Sequence, residues 1–365
     1  MNGKVIEQHE LKRLFEKNKN IIDMVVERAK RDFPNDIALI GLTGSFATND
    51  FHEKSDLDLI IVNSTDKGWG IAECFIFEGV GYDIYCTSWE NLEKKAALEC
   101  VGVSSLTDLQ LIYHADAEAL DRFNALREQA LLKLAEPVGE ACIRRAGKHI
   151  DLAKQAFANT MLHNTPGSVR YASCEVLYNL VNALVNLNNT CIKRGIKRYL
   201  DELLSYTYLP DDFEALYIAV IEANSIDTIR SSSLALLESV VRLYDAMSEK
   251  FIEKPIPSYS SLNGTYEELW CNCRNKVINS IEANDKSYAF YAAMGAQDYL
   301  DEMATNIGTK KFDLMKHFNV ENLESFKDAF LVAMDDYLSE YGKVGRDVLI
   351  FDTFESLYSH YMGKL

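Results

Sequence analysis

Apolar residues recur at helical spacing over residues 10–31, where Leu11, Leu14, Phe15, Ile21, Ile22, Val25 and Val26 are interleaved with charges. This pattern predicts an amphipathic helix. Phe33-Pro34-Asn35-Asp36 interrupts it, and the unbroken apolar run IALIGLTG that follows predicts a buried strand ending at a glycine. A polar stretch, SFATNDFHEKS, leads into a second predicted strand over 56–62. CFIFEGVGYDIYC at 74–86 predicts a hairpin bent in the Gly79 and Gly81 region, with Asp83 on its returning strand.

From about 105 to 250 the period changes to that of long helices, as in EACIRRAGKHIDLAKQAFANTML, with few strand signals. Thr165-Pro166-Gly167-Ser168 divides two of these helices, with Ser168 the expected N-cap. EKPIPSYSSLNGT at 253–265 holds two prolines, a glycine and three serines, the composition of a linker, and helical patterns resume beyond it. The expected organisation is α+β: an α/β unit at 1–104, a helical bundle at 105–252, and a linker with a C-terminal helical region at 253–365.

The chain has 365 residues, 48% of them hydrophobic, enough to supply a core for each of these parts. No apolar run reaches membrane-spanning length and the N-terminal residues lack a signal-peptide core, so a cytoplasmic location is expected. The eight cysteines lack paired metal spacing and read as small core residues in a reducing compartment. Cys271 and Cys273 on a helix would point their thiols apart. A formal net charge of −17 repels phosphate backbones, which argues against a long nucleic-acid partner and favours a small cationic one. The sequence carries no membrane-binding signature and leaves the oligomeric state open.

Chemistry concentrates in one ordered set of residues. Gly44-Ser45 follows the first strand, and ten residues later Asp56-Leu57-Asp58 opens the apolar run LIIV. Residues two apart on a strand share a face, about 6.6 Å apart along the backbone. Two carboxylates 5 Å apart repel by about 3 kcal/mol at an effective dielectric near 20, a cost that cations between them remove. Mg²⁺, which binds a few carboxylates together with substrate phosphates, suits such a site. Asp83 joins the pair if its strand is a neighbour, either as a third ligand in a two-metal site or as a general base. Gly44 permits close backbone approach, and Ser45 with nearby N–H groups suits phosphate binding.

This set resembles the nucleotidyltransferase superfamily that contains DNA polymerase β, over roughly residues 20–90. The resemblance implies a small mixed sheet, two Mg²⁺ ions on Asp56 and Asp58 with Asp83 as third carboxylate, and ATP or another NTP as donor. A short catalytic domain followed by a bundle is similar to the antibiotic-modifying branch, such as the streptomycin/spectinomycin adenylyltransferases. There, Lys197 in the basic turn before Leu209-Pro210 would reach the triphosphate. The expected reaction transfers a nucleoside monophosphate, AMP from ATP, to a hydroxyl of a small cationic acceptor such as an aminoglycoside, and releases pyrophosphate. Nucleotidylation of a protein hydroxyl and a non-catalytic nucleotide-binding module are the alternatives. Glu175 is the best single choice for contact with an acceptor amine. Arg144, Arg145 and Lys148 read as a solvated helix face, and Gly147-Lys148-His149 lacks the Ser or Thr and the context of a P-loop. Trp270, Tyr288, Phe290 and Tyr291 read as helix core rather than a pocket.

Overall fold

The computed structural model describes residues 8–48, 51, 54–193 and 195–363, the side chains of 8–11 and 197 excepted. The chain divides into two compact units, Met1–Ile252 and Glu253–Leu365. Among the described residues, five strands of the first unit form one mixed sheet in the order β3-β4-β2-β1-β5. The strands are β1 (Ile37–Thr43), β2 (Asp58–Asn63), β3 (Glu73–Phe77), β4 (Val80–Thr87) and β5 (Gln110–His114). β1 runs antiparallel to both β2 and β5, β3 pairs antiparallel with β4, and β2 and β4 are parallel.

The alternation of β-strand side chains sends the apolar runs of β1 and β2 to both faces. Ile37, Ile40, Leu42, Leu59 and Ile61 pack with Ile21, Val25 and Ala29 of α1 (Gln8–Asp32), the amphipathic helix read from its spacing. Leu39, Ile60 and Val62 pack on the opposite face with Leu92 of α3 (Trp89–Ala96) and Phe123 and Ala130 of α5 (Ala117–Ala135). Both central strands are therefore buried on two sides, which is why they read as continuous apolar runs. A four-residue turn of helix, α2 (Gly44–Ala47), follows β1, and α4 (Ser104–Thr107) precedes β5.

Two details differ from the sequence reading. β2 begins at Asp58, so Asp56 lies on the approach to the strand rather than on it. β5 lies beyond residue 104, inside the stretch predicted helical; as an edge strand of five residues its alternation is too short to stand out between helices.

The bundle follows in the same unit: α6 (Glu140–Leu162), α7 (Pro166–Leu187), α8 (Tyr199–Leu203), α9 (Phe213–Glu222) and α10 (Ile226–Phe251). Ile143, Ala146, Ile150 and Ala153 of α6, at helical spacing, meet Val176, Leu180 and Leu184 of α7 and Leu236 and Val240 of α10. Thr165, not Ser168, caps α7: its hydroxyl accepts the Ser168 N–H at 3.2 Å, and Pro166 occupies the first turn where no N–H is needed.

Asn189 fastens this bundle to the sheet's flanking helix. It takes a left-handed backbone, with φ of 45°, at the end of α7, and its amide donates to the carbonyls of Lys133 at 2.8 Å and Glu136 at 2.9 Å. Its Oδ1 accepts from Arg145 of α6 at 2.8 Å, while Arg145 Nε donates to Asn186 at 3.1 Å. Three helix ends thus share one polar knot.

The second unit is helical: α11 (Thr265–Leu269), a π-helical turn (Trp270–Arg274), α12 (Asn275–Glu282), α13 (Lys286–Asn306), α14 (Leu323–Lys343) and α15 (Phe354–Met362). An alanine-rich face of α13 packs against Phe326, Phe330 and Tyr337 of α14. Thr265 anchors α11, receiving Tyr337 Oη at Oγ1 (2.9 Å) and Tyr299 Oη at its carbonyl (2.7 Å). The 253–265 stretch forms neither helix nor strand up to Gly264, yet Leu262 is fully buried in this core, so its latter half is packed structure. Cys271 is exposed and Cys273 buried, as their spacing requires. Trp270, Tyr288, Phe290 and Tyr291 are exposed rather than core. Among the described residues, no helix is long and apolar enough to cross a membrane.

Candidate active site

Asp58 is the first residue of β2, paired across the sheet with Thr43, so its carboxylate stands beside the turn into α2. Gly44 makes that approach possible: its φ is +70°, and a Cβ placed there would stand 1.7 Å from Asp58 Oδ2. The backbone N–H of Ser45 donates to the same carboxylate. Burial, aided by repulsion from Asp56, pushes the Asp58 carboxyl above the ordinary range, and the Ser45 N–H opposes this.

Leu57 is buried between an exposed Asp56 and a half-buried Asp58, so the approach to β2 keeps the alternation of a strand. Asp83 comes alongside through the parallel pairing of Ile60 with Tyr85 and Ile61 with Cys86. Two residues back along both strands, that register sets Asp58 abreast of Asp83, on the face shared with Ile60 and Tyr85. The Tyr85 hydroxyl responds to both: burial first, then Asp58 and Asp83, raise its pKa.

Among the described residues, no three His, Cys, Asp or Glu side chains gather closely enough to hold a metal ion by themselves. The three carboxylates share a region of the sheet without closing into a three-ligand cage. Asp56 stands before the strand, Asp56 and Asp83 are exposed, and like charges repel. Mg²⁺ does not require such a cage, since it binds through one or two carboxylates, substrate phosphates and water. The donors here are hard oxygens, the ligand type that ion takes, and the missing Cβ of Gly44 admits the Asp58 carboxylate to the turn.

Asp58, Thr43 and Gly44 line one wall of a cleft of about 470 Å³ within the first unit, and the bundle forms the other wall. Arg145, Lys148 and Lys193 line that second wall. Lys148 and Lys193 are exposed and make no ion pair among the described residues, whereas Arg144 is turned to Glu140 in an exposed pair. The basic cluster of α6 is thus divided: Arg144 belongs to a solvated face, and Arg145 and Lys148 to the cleft. Sequence reasoning assigned no role in the site to Arg145, Lys148 or Lys193. The one available signal was the i, i+3 spacing of Arg145 and Lys148, which puts both on one face of α6. His149, beside them, is half-buried, and burial lowers its pKa. Asp56, Asp83 and Glu175 do not line this cleft. The side chain of Lys197 lies outside the described residues; its neighbours Gly195 and Tyr199 are at the cleft.

Residues 22–116 match the model of the nucleotidyltransferase domain family. This match supports the polymerase β-like nucleotidyltransferase superfamily for the segment that carries Gly44, Asp58 and Asp83, and with it nucleoside monophosphate transfer in general. Among solved structures, the chain is similar to a nucleotidyltransferase-like protein from Exiguobacterium sibiricum 255-15, at 12% identity and a TM-score of 0.34, covering 73% of this chain and 91% of that one. No curated protein matches the chain in sequence.

Proposed function

We propose that the first unit transfers a nucleoside monophosphate, AMP from ATP, to an acceptor hydroxyl with the help of Mg²⁺. The observation that carries this reading is the pairing of Asp58, at the Gly44-Ser45 turn, with the Arg145, Lys148 and Lys193 wall across one cleft. A carboxylate edge and cations lining one cleft of about 470 Å³ suit a polyphosphate whose metal-binding oxygens point to the sheet and whose other oxygens meet ammonium and guanidinium groups. The cleft is also lined by Glu99 and Asp108, so its charges are mixed, and the three cations supply local donors on the bundle wall for an anionic group.

Asp58 and Asp56 would hold Mg²⁺, whose charge, when bound, would offset their repulsion and the charge of the triphosphate. Lys148 and Lys193 would fix the β and γ phosphates, and Arg145, held by Asn186 and Asn189, would keep its guanidinium in a set orientation. The acceptor hydroxyl attacks the α-phosphorus, the bond from that phosphorus to the pyrophosphate oxygen breaks, and the hydroxyl proton leaves. Asp83, abreast of Asp58 and exposed, would serve as a third oxygen ligand or as the base that takes this proton. A small cationic acceptor, an aminoglycoside by the family resemblance, suits the net charge of −17.

The test is pyrophosphate release from Mg-ATP with a panel of aminoglycosides and lincosamides, beside titration calorimetry with a non-hydrolysable ATP. Lys148→Met and Lys193→Met are each expected to weaken nucleotide binding about tenfold or more, the scale of a lost charged hydrogen bond. Wild-type affinity in both variants, or full turnover in Asp58→Asn, would defeat the reading. Label from ATP appearing on a polypeptide in a lysate would replace the small acceptor by a protein hydroxyl.

A further inference from the structure

The edge strand β3 places Cys74 directly opposite Asp83 in the antiparallel register. Its thiol donates to Asp83 Oδ1 at 3.2 Å. Both residues are exposed, so no packing forces this arrangement. Asp83 has no other hydrogen-bond partner among the described residues, and its second oxygen is left free. A carboxylate on the solvent side of a strand samples several rotamers. A single donor on the neighbouring strand is enough to favour one of them.

We propose that Cys74 is a positioning residue for the transfer reaction, holding Asp83 by Oδ1 so that Oδ2 faces the region of Asp58. The inference rests on the role given to Asp83 under the proposed function. A thiol suits the task because its S–H is a weak donor. It orients the carboxylate through one oxygen and adds no charge of its own beside it. A cationic partner would instead neutralise the carboxylate. The register explains why β3, otherwise a short exposed edge, carries this residue: position 74 is the β3 position across from Asp83.

The experiment compares Cys74→Ala and Cys74→Ser in the full chain, each alone and combined with Asp83→Asn. Turnover of Mg-ATP and Mn²⁺ affinity, measured by electron paramagnetic resonance with a non-hydrolysable ATP present, are the two readouts. Cys74→Ala is expected to lower kcat about three- to tenfold and to weaken Mn²⁺ binding by a similar factor, the scale of one neutral hydrogen bond. KM for ATP should stay within twofold. Cys74→Ser restores a donor and should recover most of both losses. In the Asp83→Asn background, Cys74→Ala should add nothing, since its effect passes through the carboxylate.

Unchanged kcat and Mn²⁺ affinity in Cys74→Ala would overturn the proposal. So would equal losses in the Ala and Ser variants, or a full additive loss on top of Asp83→Asn. A wild-type protein that neither binds nor turns over any nucleotide would instead defeat the transferase reading itself, and Asp83→Asn with wild-type behaviour would defeat the role of Asp83.

Discussion

Replacing Asp58 by Asn should abolish transfer and, at neutral pH, make the first unit more stable. The side chain is half-buried beside a second carboxylate, and its pKa is raised chiefly by burial and then by Asp56. The sign follows from linkage. A carboxyl whose folded pKa exceeds its unfolded value binds its proton more tightly when folded, so the native state is favoured below that range and penalised as pH rises through the folded pKa. For the Asp56 part of the penalty, two charges about 6.6 Å apart repel by roughly 0.6 kcal/mol in water and roughly 2.5 kcal/mol at an effective dielectric of 20. Asp56 is exposed and Asp58 is not, so about 1 kcal/mol is the working figure, with burial adding to it. Asn keeps an oxygen able to accept the Ser45 N–H, and little is lost in exchange.

For a unit of this size, 1 kcal/mol corresponds to a rise of about 2–4 °C in Tm. Differential scanning calorimetry at pH 7.5 should show that rise in Asp58→Asn. The rise should shrink as pH falls through the carboxylate range and vanish only below the unfolded pKa of about 3.9, where the Asp58 carboxyl is protonated in the folded and unfolded states alike. Millimolar Mg²⁺ should narrow the gap at pH 7.5 by stabilising the wild type alone. A gain equal at pH 4 and pH 7.5, or no gain at either, would refute the electrostatic account.

Two glycines give further checks. Gly44→Ala combines a left-handed backbone with a Cβ 1.7 Å from Asp58 Oδ2; a loss of about 1–3 kcal/mol in stability and of nearly all transfer activity is expected, read by urea melts and pyrophosphate release. In the second unit, Gly308 has φ of +86°, and a Cβ there would meet the Pro255 carbonyl oxygen at 1.7 Å, so Gly308→Ala should lower the stability of that unit by a similar amount. Nucleotide affinity, measured by calorimetry, should be unchanged in that variant, because the cleft is built wholly from the first unit.

Much of the first unit was legible because its signals are local. Twenty-two residues at helical spacing, two runs apolar enough to be buried on both faces, and a hairpin bent at glycine each specify their element through neighbours in sequence. Gly44-Ser45 and the Asp56-Leu57-Asp58 triplet were visible for the same reason: a turn, then alternation entering a strand. Thr165 as the cap of α7 and the short edge strand β5 were misread, since one depends on a single side-chain rotation and the other on pairing with β1.

The chain pattern alone determined an α/β start, a helical remainder and a pair of aspartates at the entry to a strand, because periodicity and charge spacing act over a few residues. Tertiary structure decided which residues face those carboxylates. Arg145, Lys148 and Lys193 come from α6 and the segment after α7, and nothing near them in sequence tells a cleft wall from a solvated helix. Only the knot of Arg145, Asn186 and Asn189, which joins α6 and α7 to the end of α5, brings that wall opposite Asp58. Likewise, the parallel register of β2 and β4 sets Asp83 beside Asp58 across 25 residues of chain, a placement that long-range hydrogen bonds determine and local propensity cannot.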